Sequence, residues 1–186
     1  MRLPRFEIAH QLWGAIFPTG RRIIPLVADD CELIKTLILG LGNPLLRDDS
    51  VGLRVIQELQ DRLAARPGVE LSEDYWGGLR LMERMIGFDR VIVVDAMRSG
   101  GAPGAVRRLS PDSVPTQHSA SSHDVNLPTA LQLGRLAGAL LPSDDRIVLI
   151  GIEAADVETF SEQLTPEVLG AIPEAVELVL SELESD

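Results

Sequence analysis

Three acids and one histidine stand at positions where a side chain could do chemistry. Asp48 and Asp49 follow an apolar, strand-like run at residues 37–39 and precede a segment with helical periodicity. Ligands of open α/β sheets bind at the carboxyl ends of the strands, so acids at such a point favour a binding or catalytic role. Asp95 ends a second run of strand-forming residues, and His123 follows two serines. We expect an acid of the Asp48–Asp49 pair, Asp95 and His123 to meet at one edge of a sheet.

Two carboxylates and one imidazole have two possible chemistries. They could bind a divalent metal of borderline softness, such as nickel or zinc, with coordination positions left for water or substrate. They could also form an Asp–His acid/base pair that needs no metal. Each residue also has a structural interpretation. Asp49 could cap a helix, Asp95 could cap a loop, and His123 could be a solvated loop residue.

The elements that must position these residues alternate between strand and helix from Thr36 onwards. β-Branched and apolar runs predict strands at 37–41, 69–71, 91–94, 105–109 and 147–152. Helical periodicity predicts helices at 51–65, 79–86, 127–141, 166–172 and 173–183, with a break at Pro173. Thr165 is the expected N-cap before Pro166. This alternation predicts an α/β fold, with a mostly parallel sheet covered by helices on both faces.

The composition of the chain argues against several classes of function. The chain has 186 residues and a net charge of −11, which argues against a nucleic-acid partner. Its single cysteine, Cys31, excludes an intrachain disulfide and a zinc site of several thiolates. No apolar run approaches the roughly 20 residues that span a bilayer, so we expect a cytoplasmic protein without a membrane partner.

Residues 1–35 lack a clear hydrophobic period and form an expected N-terminal extension of unknown role. Residues 36–186 form the expected single domain.

Several common catalytic motifs are absent from the sequence. It has no HExxH helix, no GxSxG nucleophile elbow and no GxxxxGK[ST] loop. Gly40 and Gly42 would begin a dinucleotide fingerprint, but residue 45 is leucine where that fingerprint needs glycine. A nucleotide-binding α/β enzyme therefore remains as an alternative function with little support from the sequence.

The residues resemble those of the maturation endopeptidases of [NiFe] hydrogenases, across about residues 36–183. The resemblance depends on Gly40–Gly52 (GLGNPLLRDDSVG), Val93–Ala96, Ser122–Leu127 and Ile150–Glu153, with Leu164-Thr165-Pro166 as a further match. It implies a three-layer αβα sandwich around a mainly parallel, five-stranded sheet. It also implies a hydrolase, an aspartyl-type peptidase, that removes the C-terminal extension of a hydrogenase large-subunit precursor after nickel insertion.

The resemblance also assigns residues and partners. The family's metal-binding acids and histidine fall on Asp49, Asp95 and His123, which we expect to be both the catalytic and the metal-binding residues. Nickel is expected to be recognised in the substrate, and the partner is a nickel-loaded precursor bound by a monomer. Trp76 stands where many members have an aspartate, and Asp74 lies two residues earlier.

Two mechanisms remain open and, beside the nucleotide-binding enzyme, one other function. Nickel could polarise the scissile carbonyl or a water molecule while Asp49 or Asp95 handles protons. Alternatively, nickel only positions the substrate and an aspartate with water performs the hydrolysis. A nickel-sensing chaperone that binds the same precursor without cutting it is the alternative function.

Overall fold

A five-stranded sheet forms the centre of the fold. The computed structural model describes residues 33–113 and 126–185. The strands are β1 (Thr36–Leu41), β2 (Val69–Asp74), β3 (Arg90–Met97), β4 (Val106–Leu109) and β5 (Ile147–Glu153). The helices are α1 (Val51–Leu63), α2 (Gly78–Arg84), α3 (Leu127–Leu136) and α4 (Pro166–Glu184). One-turn 3₁₀ helices lie at Asp48–Ser50, Pro111–Ser113 and Asp144–Arg146.

The strand order is β2-β1-β3-β5-β4. Strands β2, β1, β3 and β5 are parallel, and β4 pairs antiparallel with β5 at one edge. The β-branched run of β3 is buried in the centre of the sheet, as a strand covered on both faces requires. The predicted parallel sheet and its short edge strand are confirmed.

Two apolar cores lie on opposite faces of the sheet. Along β3, Ile92 and Val94 pack in the core that includes residues of α1 and α4. Val91 and Val93 alternate with them and pack in the core that includes residues of α2 and α3. Because successive strand side chains point to opposite faces, one strand contributes to both cores. The helices therefore form the outer layers of a three-layer αβα sandwich, as the sequence predicts.

The predicted break at Pro173 is wrong, because α4 continues from Pro166 to Glu184 with Pro173 inside it. The buried face of α4 runs on both sides of the proline, from Val168 through Ala175 to Val179. Pro173 itself lies on the exposed side of the helix. Packing against the sheet holds the helix together, and a lost helical hydrogen bond on the exposed side can be replaced by water.

Helix α3 ends earlier than its periodicity predicts. Gly138 has a φ of +84°, and its N–H donates to the carbonyl of Arg135 at 3.0 Å. The N–H of Ala139 donates to the carbonyl of Gly134 at 2.9 Å. These two bonds form a Schellman motif, which ends a helix at a left-handed glycine. Leu140 and Leu141 therefore lie beyond the helix that the pattern extends to residue 141.

The described chain from Leu33 onwards forms one compact unit. The N-terminal extension expected at residues 1–35 lies outside the described residues, except for residues 33–35. Within the described ranges, no helix combines the length and apolarity that a membrane span requires.

Candidate active site at the carboxyl edge of the sheet

Glycines let the start of α1 lie directly on the carboxyl ends of two strands. A Cβ atom on Gly52 would lie 2.3 Å from the carbonyl oxygen of Leu41 and 2.5 Å from that of Val94. A Cβ on Gly40 would lie 2.4 Å from the carbonyl oxygen of Gly52. No side chain fits in these gaps, so helix and sheet approach backbone to backbone. Gly40, the first glycine of the Gly-x-Gly pattern, therefore serves close packing of α1 on the sheet.

Asp49 lies in the 3₁₀ turn immediately before α1. Its Oδ2 accepts the N–H of Asn43 at 2.8 Å, which folds the chain after β1 back towards the turn. Gly42 has a φ of +146° and touches the backbone of Asp49, so it makes the sharp bend possible. Cα atoms of the Asp48–Ser50 turn lie within 8 Å of Cα atoms of β3. The turn that carries Asp49 is therefore beside the strand that carries Asp95.

Asp95 lies near the carboxyl end of β3, opposite Gly151 of β5, and is half-buried. By strand alternation its side chain is on the same face as that of Val93, which packs in the core with α2 and α3. The structure thus brings Asp49 and Asp95 to one edge of the sheet, as we expect from the sequence.

His123 lies outside the described residues, so its predicted place beside Asp49 and Asp95 stays a prediction. Helix α3 begins four positions later, at Leu127, which packs in the same core as Val93. Within residues 33–113 and 126–185, no group of three or more His, Cys, Asp or Glu residues is arranged to hold a metal ion. The expected metal set depends on His123 and stays a prediction.

Asp48 has a role that the sequence analysis did not anticipate. Its side chain is fully buried. Its Oδ2 accepts the N–H groups of Ala155 and Asp156 at 3.0 and 2.9 Å, and its Oδ1 accepts the N–H of Thr165 at 2.7 Å. The hydroxyl of Thr165 donates to Oδ2 at 3.0 Å. Asp48 therefore ties the turn after β1 to the loop after β5. The sequence shows two adjacent acids, but it does not indicate which of the two side chains is buried.

Glu153, at the end of β5, holds the loop that follows β3. It is buried, and its Oε1 accepts the N–H groups of Ser99, Gly100 and Gly101 at 2.8, 2.9 and 3.1 Å. The hydroxyl of Ser99 donates to Oε2 at 2.6 Å. Burial by itself would raise the pKa of Glu153, but these hydrogen bonds together outweigh it and lower the pKa below its usual range. The chain beyond Asp95 is thus fixed by an ionised carboxylate.

Asp156 organises the loop after β5 from within. Its Oδ1 accepts the N–H groups of Glu158 and Thr159 at 3.1 and 3.0 Å. Hydrogen bonds from the side chain and backbone of Thr159 and the backbone of Glu158, with a smaller contribution from the Arg47 charge, lower the pKa of Asp156 to about 2. Asp156 therefore stays ionised at neutral pH and holds the loop through its hydrogen bonds.

Known proteins resemble this chain in sequence and in fold. The family model for the HycI hydrogenase maturation proteases matches residues 53–182. The chain belongs to the hydrogenase maturation protease family. It is 31% identical over 153 residues to the hydrogenase 2 maturation protease of Escherichia coli K12, covering 81% of this chain and 91% of that protein. It is 30% identical to the hydrogenase expression/formation protein HupD of Bradyrhizobium diazoefficiens, covering 77% of this chain and 75% of the relative.

Solved structures of the family have the same fold. The hydrogenase maturating endopeptidase HybD from Escherichia coli superposes with a TM-score of 0.68 at 31% identity, over 81% of this chain and 92% of HybD. The [NiFe] hydrogenase maturation protease HybD from Thermococcus kodakarensis gives a TM-score of 0.56 at 27% identity, over 79% of this chain and 97% of that one. Family membership makes this chain a hydrolase, an endopeptidase of hydrogenase maturation.

The segment after β2 is where this chain departs from the family resemblance. Oδ1 of Asp74 accepts the N–H groups of Tyr75 and Trp76 at 2.7 and 3.2 Å, and its Oδ2 lies 3.7 Å from Nε of Arg84. The Arg80 guanidinium carbon lies 4.7 Å from the Trp76 ring centroid. Asp74 is thus engaged with its own turn, and Trp76 is a half-exposed aromatic residue at the carboxyl edge.

Proposed function

We propose that this endopeptidase removes the C-terminal extension of a [NiFe] hydrogenase large-subunit precursor after nickel insertion. One observation supports the proposal above the others. In a chain of this family, the turn bearing Asp49 and the end of β3 bearing Asp95 lie side by side at one edge of the sheet. A polypeptide substrate can reach this edge, since ligands of parallel sheets bind outside the carboxyl ends of the strands.

In this proposal Asp49, Asp95 and His123 bind the nickel ion that the substrate brings, and they are also the catalytic groups. Two carboxylates and an imidazole suit a divalent cation of borderline softness. His123 precedes Asn126 by three residues, which span at most about 11 Å of extended chain. The side chain of Asn126 accepts the N–H of Thr129 and begins α3. The proposal places His123 within this distance of the start of α3, where Leu127 packs in the same core as Val93.

The chain's own groups supply orientation and proton transfer. The N–H of Asn43 orients the carboxylate of Asp49, and the pairing of β3 with β5 fixes the backbone of Asp95. A bound nickel ion would polarise a carbonyl or a water molecule as a Lewis acid. The two aspartates can bind the cation, and one of them can accept a proton from an attacking water. The protein acts as a cytoplasmic monomer in this proposal.

A cleavage assay with matched histidine variants tests the proposal. The purified protein is incubated with nickel-loaded and nickel-free large-subunit precursor from its own organism, and precursor mass is followed by mass spectrometry. We expect wild type to shorten only the nickel-loaded form. His123→Ala should abolish cleavage, whereas His118→Ala, in the same segment of the sequence, should cleave like wild type.

The outcomes separate the alternatives. A wild-type protein that binds the nickel-loaded precursor and leaves its mass unchanged would support the non-cleaving chaperone and overturn the proposed cleavage. Normal trimming by His123→Ala would remove that residue from the site. Equal trimming of both precursor forms would remove nickel recognition from the proposal.

A further inference from the structure

Two loops are joined over the carboxyl edge of the sheet. We call residues 43–50 the acid turn and residues 154–165 the β5–α4 loop. Leu46 and Phe160 form an isolated antiparallel bridge between them. The N–H of Arg47 donates to the carbonyl of Thr159 at 3.0 Å, and the N–H of Ser161 donates to the carbonyl of Leu45 at 3.1 Å. The acid turn therefore depends on a loop that lies more than 100 residues away in sequence.

Asp48 and Asp49 divide two tasks between them. The carboxylate of Asp49 accepts a hydrogen bond from Asn43 in its own turn. The carboxylate of Asp48 points into the β5–α4 loop and is fully buried. Since the two residues share one peptide bond, a shift of the Asp48 backbone shifts Asp49 as well. The buried acid thus controls the position of the half-buried one.

Thr165 connects the same carboxylate to α4. It occupies the N-cap position of α4, yet its side chain makes no capping hydrogen bond to the helix. Its N–H and hydroxyl instead donate to Oδ1 and Oδ2 of Asp48 at 2.7 and 3.0 Å. The N-cap position predicted from the sequence is correct, but the hydroxyl is used for a contact with Asp48. Residues that follow β1 are thereby anchored to a helix that begins after β5.

A carboxylate is the side chain that this geometry requires. The four groups that contact it, three N–H groups and one hydroxyl, are all donors in this arrangement. An ionised carboxylate accepts on both oxygens, whereas an asparagine of the same shape must turn an NH₂ group towards one donor. If the asparagine oxygen replaces Oδ2, its NH₂ group faces the N–H of Thr165. The isosteric change therefore removes the hydrogen bond from the N–H of Thr165 and sets two N–H groups against each other, which weakens the link to α4 and keeps most of the packing.

We propose that Asp48 is a positioning residue for precursor cleavage, because its buried carboxylate joins the acid turn to Thr165 and so fixes the place of Asp49. This inference rests on the proposed function, in which Asp49 contacts the nickel-bearing substrate. It adds a residue that touches neither nickel nor substrate, and it assigns the Thr165 hydroxyl to the same task.

Three variants and one control test the inference. For each of them the single-turnover cleavage rate and the thermal unfolding midpoint are measured. Asp48→Asn should cleave the nickel-loaded precursor about 100-fold more slowly at a temperature where it remains folded, the loss expected for a displacement of about 1 Å. Thr165→Val, which removes only the hydroxyl, should cleave more slowly than wild type. Thr165→Ser, which restores it, should recover a rate close to wild type.

Glu182→Gln is the matched control. Glu182 is also a buried acid, but it lies at the far end of α4 and contacts Arg90 and Arg108. This control should lower the unfolding midpoint and leave the cleavage rate of folded molecules unchanged. If Asp48 had only a structural role, Asp48→Asn would likewise lower the unfolding midpoint and leave the cleavage rate of folded molecules unchanged.

The inference is overturned if folded Asp48→Asn cleaves at the wild-type rate, or if Thr165→Ser is as slow as Thr165→Val. Absence of cleavage by wild type would instead contradict the proposed function. The two failures are therefore distinguishable within one experiment.

Discussion

The two ends of the sheet each bury a carboxylate, and they stabilise it in different ways. At the carboxyl edge, Asp48 accepts hydrogen bonds from backbone N–H groups and the hydroxyl of Thr165. At the amino edge, Glu182 forms ion pairs with Arg90 at 3.2 Å and with Arg108 at 2.6 Å. One acid is held by neutral donors and the other by two cations.

This difference has an electrostatic consequence. Two guanidinium groups more than balance the charge of Glu182, and these ion pairs join α4 to β3 and β4. Neutral donors stabilise Asp48 without cancelling its charge, and Asp49 and Asp95 lie at the same edge. Arg47 is also nearby, where it pairs with Asp156 at 3.6 Å. Under the proposed function, this excess of negative charge would attract the cation that the substrate carries.

The largest expected effect on stability is at the amino edge. Glu182→Gln removes the carboxylate charge that lies 3.2 Å from the buried guanidinium of Arg90, and we expect a loss of about 3 kcal/mol in the free energy of unfolding. Urea denaturation followed by circular dichroism measures it. An unchanged unfolding midpoint would mean that this ion pair contributes little to stability. The two edges would then not differ in the way described above.

A medium effect is expected where α1 meets the carboxyl edge. Gly52→Ala places a Cβ atom against two backbone carbonyls, of Leu41 and Val94, and should cost about 1–3 kcal/mol. Because the start of α1 must move away from β3, precursor cleavage should fall as well. Gly170→Ala is the control, since a Cβ there meets no atom within 4 Å and alanine favours a helix. Similar stabilities of the two variants would contradict the close approach of α1 to the carboxyl ends of β1 and β3.

The smallest expected effect concerns pH. The pKa of Glu153 is lowered in the folded state, so between its folded and unfolded pKa values the unfolded chain binds more protons. The stability that Glu153 contributes is therefore present above its ordinary pKa of about 4.3 and is lost as pH falls through the lower folded value. Glu153→Gln should be less stable than wild type at pH 7, and the difference should shrink towards pH 3. Urea unfolding at pH 7, 5, 4 and 3 measures it, and a difference that grows with acidity would contradict the assignment.

The sequence by itself determined the layers of the fold. The β-branched run of β3 and the helical spacing in α1 are local patterns, because they follow from strand and helix geometry. Parallel strands that alternate with helices must then place their carboxyl ends at one edge, so Asp49 and Asp95 could be assigned to it from the sequence. The role of His123 stays a prediction of the sequence.

Only the tertiary structure decided which acid of the pair is buried and whether α4 breaks at Pro173. Asp48 is distinguished from Asp49 by donors in a loop that begins more than 100 residues later, and no local pattern contains them. Similarly, Pro173 is tolerated because the buried face of α4 packs on the sheet along its length. Both results have the same physical reason, which is that contacts distant in sequence outweigh local preference where burial is greatest.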